Sequence, residues 1–443
     1  MGIGRKRKWR ERPWLITAFL TVAFTLSYVD RHVISLLLEP ITQSLHLSDT
    51  QMGLMQGLSF SLCYVLASLP LARLSDRGHR PRIISACIAV WSAMTILCGF
   101  AVNFWQLLLA RIGVAASESG LPPAALTMMA DLHDQKGLAR ANSIFMIAPF
   151  LGGGIALMGG GALYQWVQQW TLPDIAGVGS LQPWQWVFIL IGMPGIAVAI
   201  VMQMLSEPRR QAFDAPRRNG MAELLGFLRR EWRSNGAYLL AIAFMALLLN
   251  AYVSWVPAAL MRLHQANAQR IGMLFGPIFL CGGILGTVMA GVLVGRRNDE
   301  VVLRAFRFMR GCAFIALPAV FITPWVSSLW LQLALIAVTI VCTSSVMGIS
   351  SLPMLYIAPQ HLRAQAVAFL GLVSALLGTG LGPLLVGVLS DALTFTAHPL
   401  MAALAVAGSA AALLAGLSLH SIIRRAGDGS APLRPDSCEG ATG

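Results

Sequence analysis

Four ionisable residues sit inside stretches that are otherwise apolar: Asp30, Arg31, Arg111 and Glu118. A charge at membrane depth is costly, so such residues mark ion paths, proton relays and ligand counter-charges. Arg111 and Glu118 are seven residues apart, two helical turns, and so point the same way. At 1.5 Å per residue, Asp30 lies about 12 Å and Arg111 about 10 Å below one membrane edge, with Glu118 near mid-membrane at about 20 Å. Asp30 and Arg111 are therefore expected to pair, leaving Glu118 as an unpaired third charge. Burial pushes a carboxylate toward its neutral form, while a nearby guanidinium holds it ionised. Moving Glu118 or Asp30 between such surroundings would take up a proton on one side and release it on the other. A static buried bridge that sets helix register is the plainer alternative. Residues that could line the same cavity are Tyr28, Arg31, Ser117, Ser119, Asn250, Tyr252, Trp255 and Ser350. Each alone reads more readily as a packed or inter-helix hydrogen-bonding residue than as a substrate contact.

The elements that carry these residues are long and apolar. The chain is 56% hydrophobic and 12% charged, against about 25% charged in a soluble domain. A membrane span needs about 20 mostly apolar residues. Twelve such segments are expected, at 14–38, 50–71, 82–101, 104–130, 138–163, 185–206, 237–261, 268–294, 304–323, 328–357, 364–390 and 398–420. The fold class is an all-α membrane protein.

Of the 32 Lys and Arg residues, 28 fall at the N-terminus, in the C-terminal tail, or in alternate gaps and the segment ends that border them. The other gaps hold only Arg262 and Arg270. Cytoplasmic loops collect Lys and Arg, so both termini are expected in the cytoplasm. The net charge of +13 is spread over short loops on one side, which reads as topology and anionic-lipid contact rather than nucleic-acid binding. A basic start followed by an apolar run resembles a signal peptide, but the run continues through a full span without a small-residue cleavage site. Six of the seven cysteines fall within spans, with no metal or disulfide spacing.

The longest basic gap, 207–236, divides the spans six and six. Within it, Met221 to Trp232 spaces Leu224, Leu225, Phe227 and Leu228 as an amphipathic helix would, and is expected to lie on the inner leaflet. The expected organisation is a six-helix bundle at 1–206, a cytoplasmic linker at 207–236, a second six-helix bundle at 237–423 and a disordered tail at 424–443. The halves echo one another. Ala72 to Arg80 after the second span and Gly291 to Arg297 after the eighth both run from a small residue through a short apolar stretch to clustered Arg. Duplicated halves around a midplane site are a transporter pattern.

Ala72 to Arg82 resembles the loop motif of the major facilitator superfamily, with Asp76, Arg77 and Arg80 matching and Ala72 in place of its leading glycine. The resemblance implies two pseudo-symmetric six-helix bundles and a cytoplasmic gate. In that gate Asp76 faces the positive N-terminus of span eleven and Arg80 pairs with an acid ending span four, where Asp131 fits. The second copy has Gly295 in the acid's place. Ser27-Tyr28-Val29-Asp30-Arg31, Leu47 to Gly53, and Arg111-Ile112-Gly113 followed by Glu118 are similar to the Spinster branch. Its members resemble proton-linked carriers of lysolipids and sphingoid phosphates, and the resemblance implies coupling through Asp30, Arg111 and Glu118.

Enzyme signatures are missing. No His has an Asp five residues on, and there is no Gly-x-Ser-x-Gly elbow, His-Glu-x-x-His site or Walker loop. The expectation is a monomeric secondary active transporter of the inner membrane, not an enzyme, without metal or cofactor. Its partners are a small-molecule substrate, protons and membrane lipids. The cargo by resemblance is an amphiphilic or organic anion. Proton-independent uniport, export of another small organic solute, and a sensor on a transporter scaffold are the alternatives.

Overall fold

In the computed structural model, residues 12–170, 174–175, 179–208, 220–295 and 301–427 are described. The basic N-terminal run, Arg209 to Arg218, Arg296 with Arg297, and 428–443 lie outside the described residues.

The elements are helical apart from a two-stranded ribbon, β1 (Asp174–Ile175) paired antiparallel with β2 (Gly179–Ser180). The first half contains α1 (Pro13–Leu45), α2 (Asp49–Gln56), α3 (Leu58–Arg77), α4 (Arg80–Cys98), α5 (Phe104–Glu118), α6 (Leu121–Leu132), α7 (Gln135–Phe145), α8 (Ala148–Gln168) and α9 (Pro183–Gln203). The second contains α10 (Gly220–Arg230), α11 (Trp232–His264), α12 (Ala268–Gly295), α13 (Val301–Ile322), α14 (Leu329–Gly348), α15 (Leu352–Ile357), α16 (Arg363–Val373), α17 (Leu381–Ala392) and α18 (Pro399–Gly427). A π segment, Ser374–Gly380, joins α16 to α17.

Among the described residues, 11 helical stretches are long and apolar enough to cross a membrane. The remaining span is α5 with α6. A turn at Ser119–Gly120 cuts it into pieces of 15 and 12 residues, each too short alone. Leu121-Pro122-Pro123 explains the cut, because prolines lack the N–H that would continue the ladder. Large apolar side chains such as Leu66, Leu69, Leu109 and Ile200 stand 60–66% exposed, as a surface solvated by lipid requires.

Sequence signals start and stop the key helices. Pro13 occupies the first turn of α1, where its missing N–H costs nothing. His46 ends that helix in the left-handed conformation. Ser48 and Gln51 then form a reciprocal capping box that opens α2.

The chain divides by packing into two compact units. Unit 1 holds Met1–Phe213 and Pro257–Leu280, and unit 2 holds Asp214–Val256 and Cys281–Gly443. Relative to the sequence halves, the segment beyond Pro257 of α11 and the start of α12 thus pack with unit 1. In unit 1, α1 packs on α8 and α9, α4 on α9 and α5, and α3 on α5. Gly152 of α8 faces the Thr25 carbonyl and Tyr28 of α1 so closely that any side chain there would clash. In unit 2, α13 packs on α14 and α18, and α17 on α18.

The linker helix α10 puts part of its apolar face against protein. Leu224 and Leu228, four residues apart, are buried, and α10 packs on α16. Leu225, Arg229, Arg230 and Trp232 are exposed. The Asn235 amide donates to the carbonyls of Phe227 and Leu228, both at 3.4 Å, satisfying the helix end. One apolar face is therefore docked on protein, and Leu225 and Trp232 remain exposed.

Candidate functional site

Asp30 and Arg31 are consecutive on α1, so their side chains diverge by about 100°. The Asp30 carboxylate accepts a hydrogen bond from Thr95 of α4 at 3.2 Å. Arg31 turns toward α5, and its Nη2 meets Oε2 of Glu118 at 2.7 Å. Arg111 donates from Nη1 to the backbone carbonyl of Asp30 at 3.3 Å. The anticipated Asp30–Arg111 carboxylate–guanidinium contact is thus corrected, and so is the solitary Glu118. Four charges form the cluster, two acids and two bases, and the direct ion pair is Arg31 with Glu118. Position along a helix does not fix rotation about its axis, and rotation decides which side chains meet.

Aromatic rings frame the cluster. The Arg31 guanidinium carbon lies 4.8, 4.7 and 5.1 Å from the ring centres of Tyr28, Phe60 and Tyr64. That of Arg111 lies 5.3 Å from Phe60. A cation over an aromatic face within about 6 Å gains about 0.5–2 kcal/mol, more where water is excluded. Phe60 and Tyr64 of α3 escaped the sequence reading, because an aromatic four residues from another reads as ordinary packing. The polar atoms here are incompletely used. Nε of Arg31, Nε of Arg111 and Oε1 of Glu118 are buried without a hydrogen-bond partner. The Glu118 side chain is fully covered while the Arg31 side chain keeps 18% of its surface exposed.

Other residues anticipated around the cavity make local or within-unit hydrogen bonds. The Ser117 hydroxyl donates to the Gly113 carbonyl of its own helix at 2.6 Å, and Ser119 donates to Ala116 at 2.7 Å. Asn250 donates to Ala246 on its own helix at 2.8 Å. Trp255 is fully buried in unit 2 and its indole N–H donates to the Pro383 carbonyl at 2.9 Å. Tyr252, 2% exposed, is held by Thr323 and Thr339. Ser350 donates to Met347 at 2.8 Å.

At the arginine-rich end of unit 1, Arg80 is 4% exposed. Its Nη1 meets Asp131 at 2.6 Å and its Nε meets Glu207 at 2.6 Å. Its backbone N–H also donates to Glu207 at 2.7 Å, and Nη2 reaches the Pro208 carbonyl at 3.5 Å. Glu207 was missed. The available signal was one acid between the sixth span and Pro208. Asp76 and Arg77 are exposed at the end of α3.

A second arginine fork closes the arginine-poor end of unit 1. Arg262 of α11 gives Nε to Glu39 of α1 at 2.6 Å. It gives Nη1 and Nη2 to the two carboxylate oxygens of Asp49 on α2, both at 2.8 Å. Nothing in the sequence reading assigned these three residues a joint role.

Membrane-length helices in two units, with charges buried among aromatic rings in the first, define a polytopic membrane protein. The Major Facilitator Superfamily profile matches residues 20–383, and the chain belongs to that family. It is 29% identical over 397 residues to an MFS-type efflux pump of Mycolicibacterium smegmatis, covering 87% of this chain and 86% of that one. It is 26% identical over 408 residues to the sphingosine-1-phosphate transporter SPNS2 of Danio rerio, covering 86% and 77%. Among solved structures, a bacterial homologue of the human lysosomal transporter Spinster, in an inward-facing and unoccupied conformation, aligns with a TM-score of 0.73 at 26% identity, covering 94% of this chain and 95% of that one.

Proposed function

We propose that this transporter moves an amphiphilic or organic anion coupled to protons, with Arg31 and Arg111 as the anion seat and Glu118 as the proton carrier. The observation that carries the reading is the Arg31–Glu118 pair, in which a partly exposed arginine side chain is held by a covered carboxylate. The orphaned Nε groups of Arg31 and Arg111 are donors with nothing to bind. A substrate carboxylate or phosphate would take them, as charge-assisted bonds favour. Once the anion draws Arg31 away, Glu118 is a buried carboxylate without its counter-charge, and protonation relieves that cost. Anion and proton are then occluded together. Asp30 keeps Arg111 in place through its backbone carbonyl and stands as a second titrating group. Tyr28, Phe60 and Tyr64 suit the apolar body of an amphiphile beside the charged head. The relative named for sphingosine-1-phosphate transport is in keeping with such a cargo.

The arginine-rich ends are proposed to face the cytoplasm and the membrane to be the inner one. Arg80 with Asp131, Glu207, Asp76 and Arg77 then forms the cytoplasmic gate, and the Arg262 fork guards the opposite end. The working unit is taken as a monomer with two halves divided by the 207–236 linker, moving by alternating access. Single cysteines placed at 164–170 should label from outside and those at 229–233 only from inside. Reversed labelling would invert the orientation.

The function is tested with purified protein in vesicles. Uptake of a lysolipid phosphate should rise when a pH gradient is imposed and should acidify or alkalinise the lumen in step with transport. Uptake that ignores the gradient, with no proton movement, contradicts the coupling.

A further inference from the structure

We propose that the exposed face shared by α13 and α18, wholly within unit 2, is a binding site for an anionic phospholipid of the surrounding bilayer. The two helices pack on each other. Their register is fixed where Nη1 of Arg310 lies 3.2 Å from Nδ1 of His420. α13 runs away from the arginine-rich end and α18 returns to it. Arg307 and Arg424 therefore form the next tier, about 5 Å nearer that end at 1.5 Å per residue. In the other direction come Phe314 on α13, then Leu417 and Leu413 on α18, at the same three- and four-residue steps. Such steps keep each set on one side of its helix. Arg307, His420 and Arg424 are exposed and Arg310 is half-buried, while Phe314, Leu417 and Leu413 are 39%, 50% and 41% exposed. The Phe314 ring leans over Gly416, 3.0 Å from where a Cβ would stand. A cationic upper half thus continues into an apolar lower half.

The upper half holds donors and no acid. A guanidinium only donates, so Nδ1 of His420 accepts and the imidazole proton sits on Nε2, a further donor. Among the described residues, Arg310 makes that one hydrogen bond, and Arg307 and Arg424 make neither a hydrogen bond nor an ion pair. Neither α13 nor α18 contains Asp or Glu. α14 and α15, which pack on α13, contain none either. α17, which packs on α18, has only Asp391, at the far end. Asp299, Glu300 and Asp428 lie outside the described residues. Counting all three, 296–310 and 420–428 still hold seven Arg against three acids, so the surplus is positive. Topology alone needs basic residues only in loops, yet Arg307 and Arg310 stand six and nine residues past the start of α13. A charge turned to lipid at that depth is costly. A lipid phosphate removes the cost through charge-assisted hydrogen bonds, with its acyl chain laid along Phe314, Leu417 and Leu413. Basic pockets between spanning helices take anionic headgroups in this way. A free phosphate would use only the upper half, so the apolar continuation selects a lipid. Bound there, the lipid ties α13 to α18 at the arginine-rich end, whatever the cargo of the transporter.

The full-length protein in a neutral detergent is titrated with phosphatidylglycerol while its melting temperature is followed. Phosphatidylcholine is the lipid control, and sodium phosphate, matched in ionic strength by sodium chloride, is the free-anion arm. The parent should show a saturable rise with phosphatidylglycerol that neither phosphatidylcholine nor sodium phosphate gives. Arg307→Gln and Arg424→Gln should each weaken apparent affinity roughly fivefold, the loss of one basic residue near a membrane surface. Arg307→Lys should keep most of it. Arg229→Gln with Arg230→Gln removes two exposed arginines from α10 of the same unit and should leave the affinity unchanged. If the site variants fail to fold, native mass spectrometry of the parent decides, with phosphatidylglycerol expected to be retained over phosphatidylcholine. A rise that phosphatidylcholine matches, one that sodium phosphate reproduces, an affinity unmoved by both site variants, an equal weakening in the α10 variant, or no preference in the mass spectrum overturns the proposal.

Discussion

Arginine is used in two opposite ways within unit 1. At the two ends, Arg80 and Arg262 have each side-chain nitrogen engaged by carboxylates or a carbonyl at 2.6–3.5 Å. In the middle, Arg31 and Arg111 each keep an unpartnered Nε, and Glu118 keeps an unpartnered oxygen. An unmet buried polar group costs about 1–3 kcal/mol, more for a charged one. An arginine with every side-chain nitrogen engaged is a fastening. A partly satisfied one, held at that cost beside aromatic rings, is a place kept for something that comes and goes. The contrast separates the two ends of unit 1 from its middle without reference to any relative.

The contrast breaks most readily at Arg80. Arg80→Ala leaves Asp131 and Glu207 facing each other without their shared base, and Arg80 is almost wholly buried. Removing one partner of a buried pair costs about 3–5 kcal/mol. The purified variant should melt far below the parent, and Asp131→Asn with Glu207→Gln added should restore much of the loss. A variant that melts with the parent would show the arginine-rich fork to be no fastening.

A smaller effect is expected at the other end. Arg262 is 31% exposed and Glu39 24%, so water screens part of the attraction. Arg262→Gln should cost on the order of 1–3 kcal/mol in thermal unfolding. It should also raise the reactivity of a cysteine placed at Gln43 toward a water-soluble label. Unchanged reactivity would demote the fork to decoration.

Much of this was legible in the residues themselves. Span positions follow from apolar length, and Arg80 with Asp131 follows from a motif whose loop is short enough to fix which ends meet. The partners of Asp30 and Arg31 were not legible. Axial depth can be counted from a span end, but rotation about the axis depends on packing against α3, α4 and α5. Asn250, Tyr252 and Trp255 misled for a related reason. A polar side chain in a span faces either a cavity or a carbonyl, and only packing distinguishes the Pro383 carbonyl from a ligand. The Arg262 fork was hidden because its members lie at the ends of three separate spans, where single charges read as span boundaries.

The central claim concerns Glu118, and one substitution addresses it most directly. Glu118→Gln preserves the shape of the protonated acid but cannot titrate. In vesicles, the variant should lose accumulation driven by a pH gradient while retaining exchange of internal for external substrate, which needs no net proton movement. A variant that accumulates substrate under a pH gradient as the parent does would contradict the claim and leave Arg31–Glu118 as a static bridge.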